Sequence, residues 1–177
     1  MLIGRNLSLK LPTIEDAQLL ADWQSDPEVL GDSYDVWPHT RDAVEQSLKK
    51  REHSAREKGD FFICSLDKDE RMGLIGYFNP FALKDFFQGL EIFYIVHPCF
   101  RNKGIATQAS CILINHLFNA IPVERIQATA VVDNPASCRV LEKAGMQKEG
   151  TYRRVSFLHG RYVDLHLYSI IREDWRD

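Results

Sequence analysis

The sequence predicts a mixed α/β domain, in which an antiparallel meander is followed by helical crossovers that return parallel strands to the same sheet. Three observations carry this expectation. Leu7, Leu9 and Leu11 alternate with polar residues, the pattern of a half-buried strand. Residues 61–66 and 72–78 are apolar runs joined by Asp67-Lys68-Asp69-Glu70, which reads as a hairpin. Residues 90–96 are apolar, aromatic or β-branched apart from Glu91, and a basic turn then leads into a helical pattern.

Pro12 closes the first strand, and Thr13 starts a helix with Glu15 and Asp16 in its first turn. Ile14, Ala17, Leu20 and Ala21 form its inner face. Residues 25–39 are irregular, acidic and aromatic. They read either as a surface loop with Trp37 on the core or as one wall of a substrate cleft. In the second reading Asp26, Glu28, Asp32 and Asp35 attract a cationic amine, and Tyr34 and Trp37 pack its apolar part. Thr40 begins a second, largely charged helix running toward Lys58. After the hairpin and a loop over residues 79–88, the central strand ends near Pro98, which cannot donate to a ladder. Ile105, Ala109, Ile112, Leu113 and Leu117 then recur at helical spacing. A strand over 123–132, a short helix from Asn134 to Gly145 and two strands over 146–157 and 162–171 complete the order β-α-α-β-β-β-α-β-α-β-β.

The 177 residues suit one domain spanning 1–177 with a continuous core. A net charge of −3 supplies no basic field for gripping nucleic acid. The cysteines Cys64, Cys99, Cys111 and Cys138 are scattered, without metal-type clustering, and read as reduced thiols. The N-terminal residues lack the apolar stretch of a signal peptide, and no run approaches the length of a membrane helix. The expectation is a cytoplasmic monomer or homodimer that binds neither nucleic acid, membrane nor metal.

The turn after the central strand is the first candidate site. N–H groups in a helix's first turn lack intrahelical partners, and the dipole there favours an anion. Gly104 and Ala106 let an anion approach the main chain, while Arg101, Lys103 and Thr107 add charge and a hydroxyl. Spacing alone leaves an ordinary basic corner equally open. Arg101-x-x-Gly104-x-Ala106 also resembles the pyrophosphate motif of the GNAT N-acetyltransferases. That resemblance implies that residues Arg101, Asn102, Lys103, Gly104, Ile105, Ala106 and Thr107 hold the pyrophosphate of acetyl-CoA.

A second motif, Asn134-Pro135-Ala136-Ser137 followed by Leu141-Glu142-Lys143-Ala144-Gly145, is good helix punctuation in its own right. It resembles the RimJ/RimL-type ribosomal-protein N-terminal acetyltransferases, as do Glu149-Gly150, His159-Gly160 and Asp164 later in the chain. The resemblance covers nearly the whole chain and implies the GNAT acyl-CoA N-acyltransferase fold. Under it the pantetheine arm pairs with main chain near Ile95 and Val96, Asn134 bonds that arm or the incoming substrate, and Ser137 lies beside the sulfur. An N–H at Val96 or His97 serves as oxyanion donor.

Many family members carry a tyrosine seven residues after the motif asparagine as acid for the departing thiolate; here that position is Leu141. Ser137 becomes the nearest group able to stabilise sulfur. Glu91 is the candidate base and amine ligand, or else a paired structural carboxylate. One branch of the resembled group places a base at the position of Ser156, so that role has no carboxylate here. His97 and His159 are further candidates for the base. The implied activity is transfer of an acetyl group from acetyl-CoA to a primary amine, foremost a protein N-terminus. A polyamine, amino acid or aminoglycoside is the rival acceptor, and a non-catalytic acyl-CoA-binding module is the alternative class.

Overall fold

The computed structural model describes residues 1–31, 34, 36–50, 57–80 and 89–175. Eight strands form one sheet: β1 (Leu2–Ile3), β2 (Leu7–Lys10), β3 (Lys58–Ser65), β4 (Arg71–Phe78), β5 (Gly89–Val96), β6 (Arg125–Val131), β7 (Gln147–Leu158) and β8 (Arg161–Ile171). Their spatial order is β1-β2-β3-β4-β5-β6-β8-β7. Every neighbouring pair is antiparallel except β5 and β6. That parallel pair is the crossover expected from the strand–turn–helix pattern, made through α4 (Ile105–Ala120).

Helices α1 (Ala17–Ser25), α2 (Pro27–Leu30) and α3 (Arg41–Lys49) complete the N-terminal half, and α5 (Pro135–Lys143) follows β6. Three details depart from the sequence expectation, the first being β1, a two-residue strand outside the seven expected. The second long helix stops at Lys49, and Lys58 already belongs to β3. Its charged pattern carried no stop signal, whereas β3 gains length by pairing Lys58 with Phe78 of β4. Part of the supposedly irregular 25–39 stretch is α2, because Asp26 accepts a hydrogen bond from Glu28 N at 2.8 Å and Pro27 sits at its first position. Asp32 and Asp35 lie outside the described residues.

Alternation along the strands sorts side chains to two faces. On one face Leu90 and Ile92 of β5 with Ile126, Ala128 and Ala130 of β6 pack against Ala109, Leu113, Ile114 and Leu117 of α4. Leu141 of α5 and Tyr168 of β8 join this core. On the other, Phe62, Cys64 and Leu74 pack beneath Leu20, Trp23, Val44 and Leu48 of the N-terminal helices. Burying each of these large apolar side chains contributes about 1.5–3 kcal/mol, which fixes the sheet between two helical layers.

The feature that makes a site is a failure of pairing. β5 and β6 are in register only at Gly89↔Arg125, Leu90↔Ile126 and Glu91↔Gln127. Beyond Glu91 the strands part, while β5 stays paired with β4 as far as Val96↔Gly73. Among the described residues the C-terminal half of β5 therefore has a strand partner on one edge only.

Candidate active site

The gap between β5 and β6 opens into a cavity of about 1120 Å³. Its walls come from β5, the start of α4, the end of β6, α5 and the β7–β8 tip, with Gly31 and Tyr34 on the N-terminal side. His97 N donates to Met72 O at 2.9 Å, so that amide faces β4. Alternation along the strand then turns the main-chain groups of Ile92, Tyr94 and Val96 toward the gap. Val96 O confirms this direction by accepting a bond from Arg101 Nε at 3.0 Å. Of the two amides expected to serve an oxyanion, His97 is already engaged and Val96 is the one aimed at the cavity.

At the cavity's other end α4 begins on Gly104, whose φ of 73° is the left-handed conformation that glycine adopts without steric cost. Among the described residues no side chain caps this helix, and its first internal bond runs from Gln108 N to Gly104 O. The N–H groups of Ile105, Ala106 and Thr107 therefore face the cavity with no protein acceptor among the described residues. Asn102, at φ 62°, also lines it. Arg139, Lys143 and Arg161 add positive charge around the walls. Free first-turn amides, a strand edge with spare donors and acceptors, and surrounding cations form a donor set that fits a pyrophosphate continued by an amide-containing arm.

Arg101 behaves differently from its motif reading. Its guanidinium donates to Glu28 O at 2.7 Å, to Val29 O at 2.9 Å and to Val96 O. It ties α2 to the end of β5. Lys103 donates to Cys99 O at 3.0 Å and lies over the Phe100 ring, away from the cavity wall. The His97 ring packs on Trp23, and its Nδ1 accepts from Cys99 N at 3.4 Å.

Glu91 stands in the neck of the gap. Its carboxylate accepts from Gln127 Nε2 at 2.9 Å and from Thr129 Oγ1 at 3.1 Å, both from β6. A carboxylate can accept about four bonds, so these two neutral donors hold it in place and leave capacity for another. Among the described residues no cation pairs with it. Tyr34 lines the same part of the cavity, and burial followed by the charge of Glu91 pushes its phenol up to about 12. Trp37, expected beside Tyr34, is 70% exposed and stands off the cavity.

Asn134 caps α5: its Oδ1 accepts from Ser137 N at 3.0 Å. Ser137 thus sits in the first turn with its hydroxyl at the cavity. Leu141, one turn further, is fully buried in the core. The residue that sequence reasoning passed over is Tyr94. Read as one more apolar strand position, it turns its hydroxyl to Ser137 Oγ at 2.8 Å and to Ser137 O at 3.2 Å. The only available signal was its even spacing from Leu90 and Ile92, which puts it on the α5 side of the sheet.

The Acetyltransferase (GNAT) domain profile matches residues 6–147. The chain is 28% identical over 158 residues to the uncharacterized N-acetyltransferase YnaD of Bacillus subtilis, covering 87% of this chain and 90% of that one. Among solved structures it matches the ribosomal-protein-S5-alanine acetyltransferase from Vibrio fischeri with a TM-score of 0.85 at 23% identity, over 99% and 98% of the two chains. The spermidine N-acetyltransferase from Vibrio cholerae in complex with CoA and spermine matches with a TM-score of 0.84 at 18% identity, over 97% and 98%.

The chain belongs to the GNAT acetyltransferase family. It is an acetyl-CoA-dependent N-acetyltransferase, and its acceptor is an amine.

Proposed function

We propose that this enzyme is of the RimJ/RimL type and acetylates the α-amine of a protein N-terminus, within a single domain spanning residues 1–177. The observation that carries the acceptor reading is the charge of the cavity. Among the described residues lining it, the carboxylates are Glu91 and Asp133, and Asp133 lies 3.6 Å from Arg161. Among the described residues this leaves one unpaired carboxylate in the neck, which suits one ammonium group. A polyamine brings several cations, and the remaining charged walls, Arg101, Arg139, Lys143 and Arg161, repel them.

Proton chemistry supports the same choice. An α-amine has a pKa near ~8, against about 10.4 for a lysine side chain, so a useful fraction is neutral at physiological pH. Glu91 attracts the ammonium form and takes its proton directly or through water. Tyr34 packs beside it.

On the donor side, the amides of Ile105, Ala106 and Thr107 hold the pyrophosphate of acetyl-CoA. The gap-facing groups of β5 near Val96 pair with the pantetheine arm. Asn134 and Ser137 meet its thiol end. When bound, acetyl-CoA supplies an acyl carbon activated by a thioester. The N–H of Val96 donates to the carbonyl oxygen as it gains charge, a role worth roughly 3 kcal/mol in related acyl transfers. The amine nitrogen bonds to that carbon and gives up its second proton to water, the C–S bond breaks, and its electron pair leaves on sulfur.

The test is a competition among acceptors at fixed acetyl-CoA: peptides with free N-termini, the same peptides with blocked N-termini and one lysine, spermidine, and free amino acids. Release of CoA thiol should be fastest with the free N-termini. A kcat/KM for spermidine above every peptide overturns the reading.

A further inference from the structure

We propose that Tyr94 is a positioning residue for the leaving thiolate: its phenol hydrogen-bonds Ser137 Oγ and so frees the Ser137 proton to point at sulfur. This deepens the donor-site reading and rests on it, since it takes the thioester sulfur to lie beside Ser137.

Proton counting carries the argument. Tyr94 Oη lies within bonding distance of both Ser137 Oγ, at 2.8 Å, and Ser137 O, at 3.2 Å, but a phenol has one proton. When that proton is on the carbonyl, Ser137 Oγ–H donates back to the phenol and has nothing left for sulfur. When it is on Oγ, the serine oxygen is satisfied as an acceptor, and its own hydrogen turns into the cavity. The 2.8 Å contact between the two oxygens serves either arrangement, and an acceptor in the cavity selects the second. A developing thiolate favours it further, because a donor polarised by a second hydrogen bond interacts more strongly with an anion.

Leu141 explains why the phenol comes from a strand. The helix position one turn after Ser137 is fully buried in the core and has no proton to give. Tyr94 reaches the same hydroxyl across the cavity from β5. Its role is donation and not proton loss. Burial holds the phenol well above the usual tyrosine range against the opposing bond to Ser137, with smaller upward contributions from Tyr34 and Cys138. As the C–S bond breaks, the electron pair goes to sulfur, Ser137 and Tyr94 both keep their protons, and the thiolate is later protonated by water.

The experiment uses CoA alone and needs no acceptor. CoA labelled with 13C at the carbon bonded to sulfur is bound to the full chain, and its thiol is titrated by NMR. Wild type, Tyr94→Phe, Ser137→Ala and the double variant are compared, with melting temperature and calorimetric CoA affinity measured on each. In wild type the bound thiol titrates below free CoA. Tyr94→Phe, which removes one oxygen and keeps the ring, should raise that value by about one pH unit, a tenfold loss of thiolate, with CoA affinity unchanged below the titration. Ser137→Ala should raise it at least as far, and the double variant no further.

A Tyr94→Phe thiol that titrates like wild type overturns the proposal, as does an undiminished Tyr94→Phe shift in the Ser137→Ala background. A purely structural role would lower the melting point and leave the thiol titration alone, which also overturns it. Failure of CoA to bind the wild type would instead remove the donor-site reading beneath it.

Discussion

Replacing Arg101 separates two roles that its motif position confounds. If the side chain held phosphate, Arg101→Ala would weaken acetyl-CoA binding and leave the fold intact. The structure instead gives its guanidinium three carbonyl acceptors, Val96 O, Glu28 O and Val29 O, at 2.7–3.0 Å. Each is a charge-assisted bond, but most of the group is near solvent, so a net of about 0.7 kcal/mol apiece is reasonable, and roughly 2 kcal/mol in all. For a chain of 177 residues, an unfolding entropy of about 2.1 cal/mol/K per residue gives roughly 0.37 kcal/mol per degree. Arg101→Ala should therefore melt about 5 °C lower, while its calorimetric affinity for acetyl-CoA changes less than threefold. Arg101→Lys keeps the charge and loses the planar fork, so it should recover little of the lost stability. A wild-type melting point together with a tenfold or greater loss of affinity, restored by lysine, would instead make Arg101 a phosphate ligand.

Three further outcomes follow from the same geometry. Glu91→Gln keeps both bonds from β6 within reach but removes the negative charge; KM for the amine should rise at least tenfold while acetyl-CoA affinity holds, and steady-state kinetics with calorimetry would show it. Gly73→Ala drives a Cβ into Ile95 O and to 3.1 Å from Val96 Cα, so β5 must shift. A loss of about 1–3 kcal/mol in chemical denaturation and weaker acetyl-CoA binding should appear together. Glu149 is held at about 2, first by its bond to Arg125 and then by Ser169. A depressed carboxyl contributes stability above its unfolded pKa, and that contribution is lost as pH falls from about 4.5 toward 2. The side chain is 38% exposed, so screening reduces the gain to about 1 kcal/mol. Glu149→Gln should melt lower at pH 7 and differ less from wild type at pH 3.

The legibility of this chain in sequence follows the range of the forces involved. Local signals worked: the turn at Gly104, the Asn134 cap and the hairpin turn at residues 67–70 all lie where backbone chemistry put them. The strands of the central sheet were readable from alternation and apolar runs. Contacts between distant segments were not. Nothing near Arg101 in the chain announces Glu28 and Val29, and nothing near Ser137 announces Tyr94, because those pairs are made by the sheet bringing α2, β5 and α5 together. Glu91 was found as the lone charge in an apolar strand, but its partners Gln127 and Thr129 became visible only with the β5–β6 register. The short α2 was hidden by the acidic composition around it, although Asp26-Pro27 is a cap followed by a favoured first residue.

If the parted strands and the uncapped helix together hold the acetyl donor, amide chemical-shift mapping will show both responding. Titrating 15N-labelled protein with acetyl-CoA should move the amides of Ile105, Ala106 and Thr107 and those of Ile92, Tyr94 and Val96 most strongly, with Ser137 following. His97 should move less, since its amide is bonded to Met72. Saturable shifts centred elsewhere, with the start of α4 and the free edge of β5 unmoved, would contradict the account.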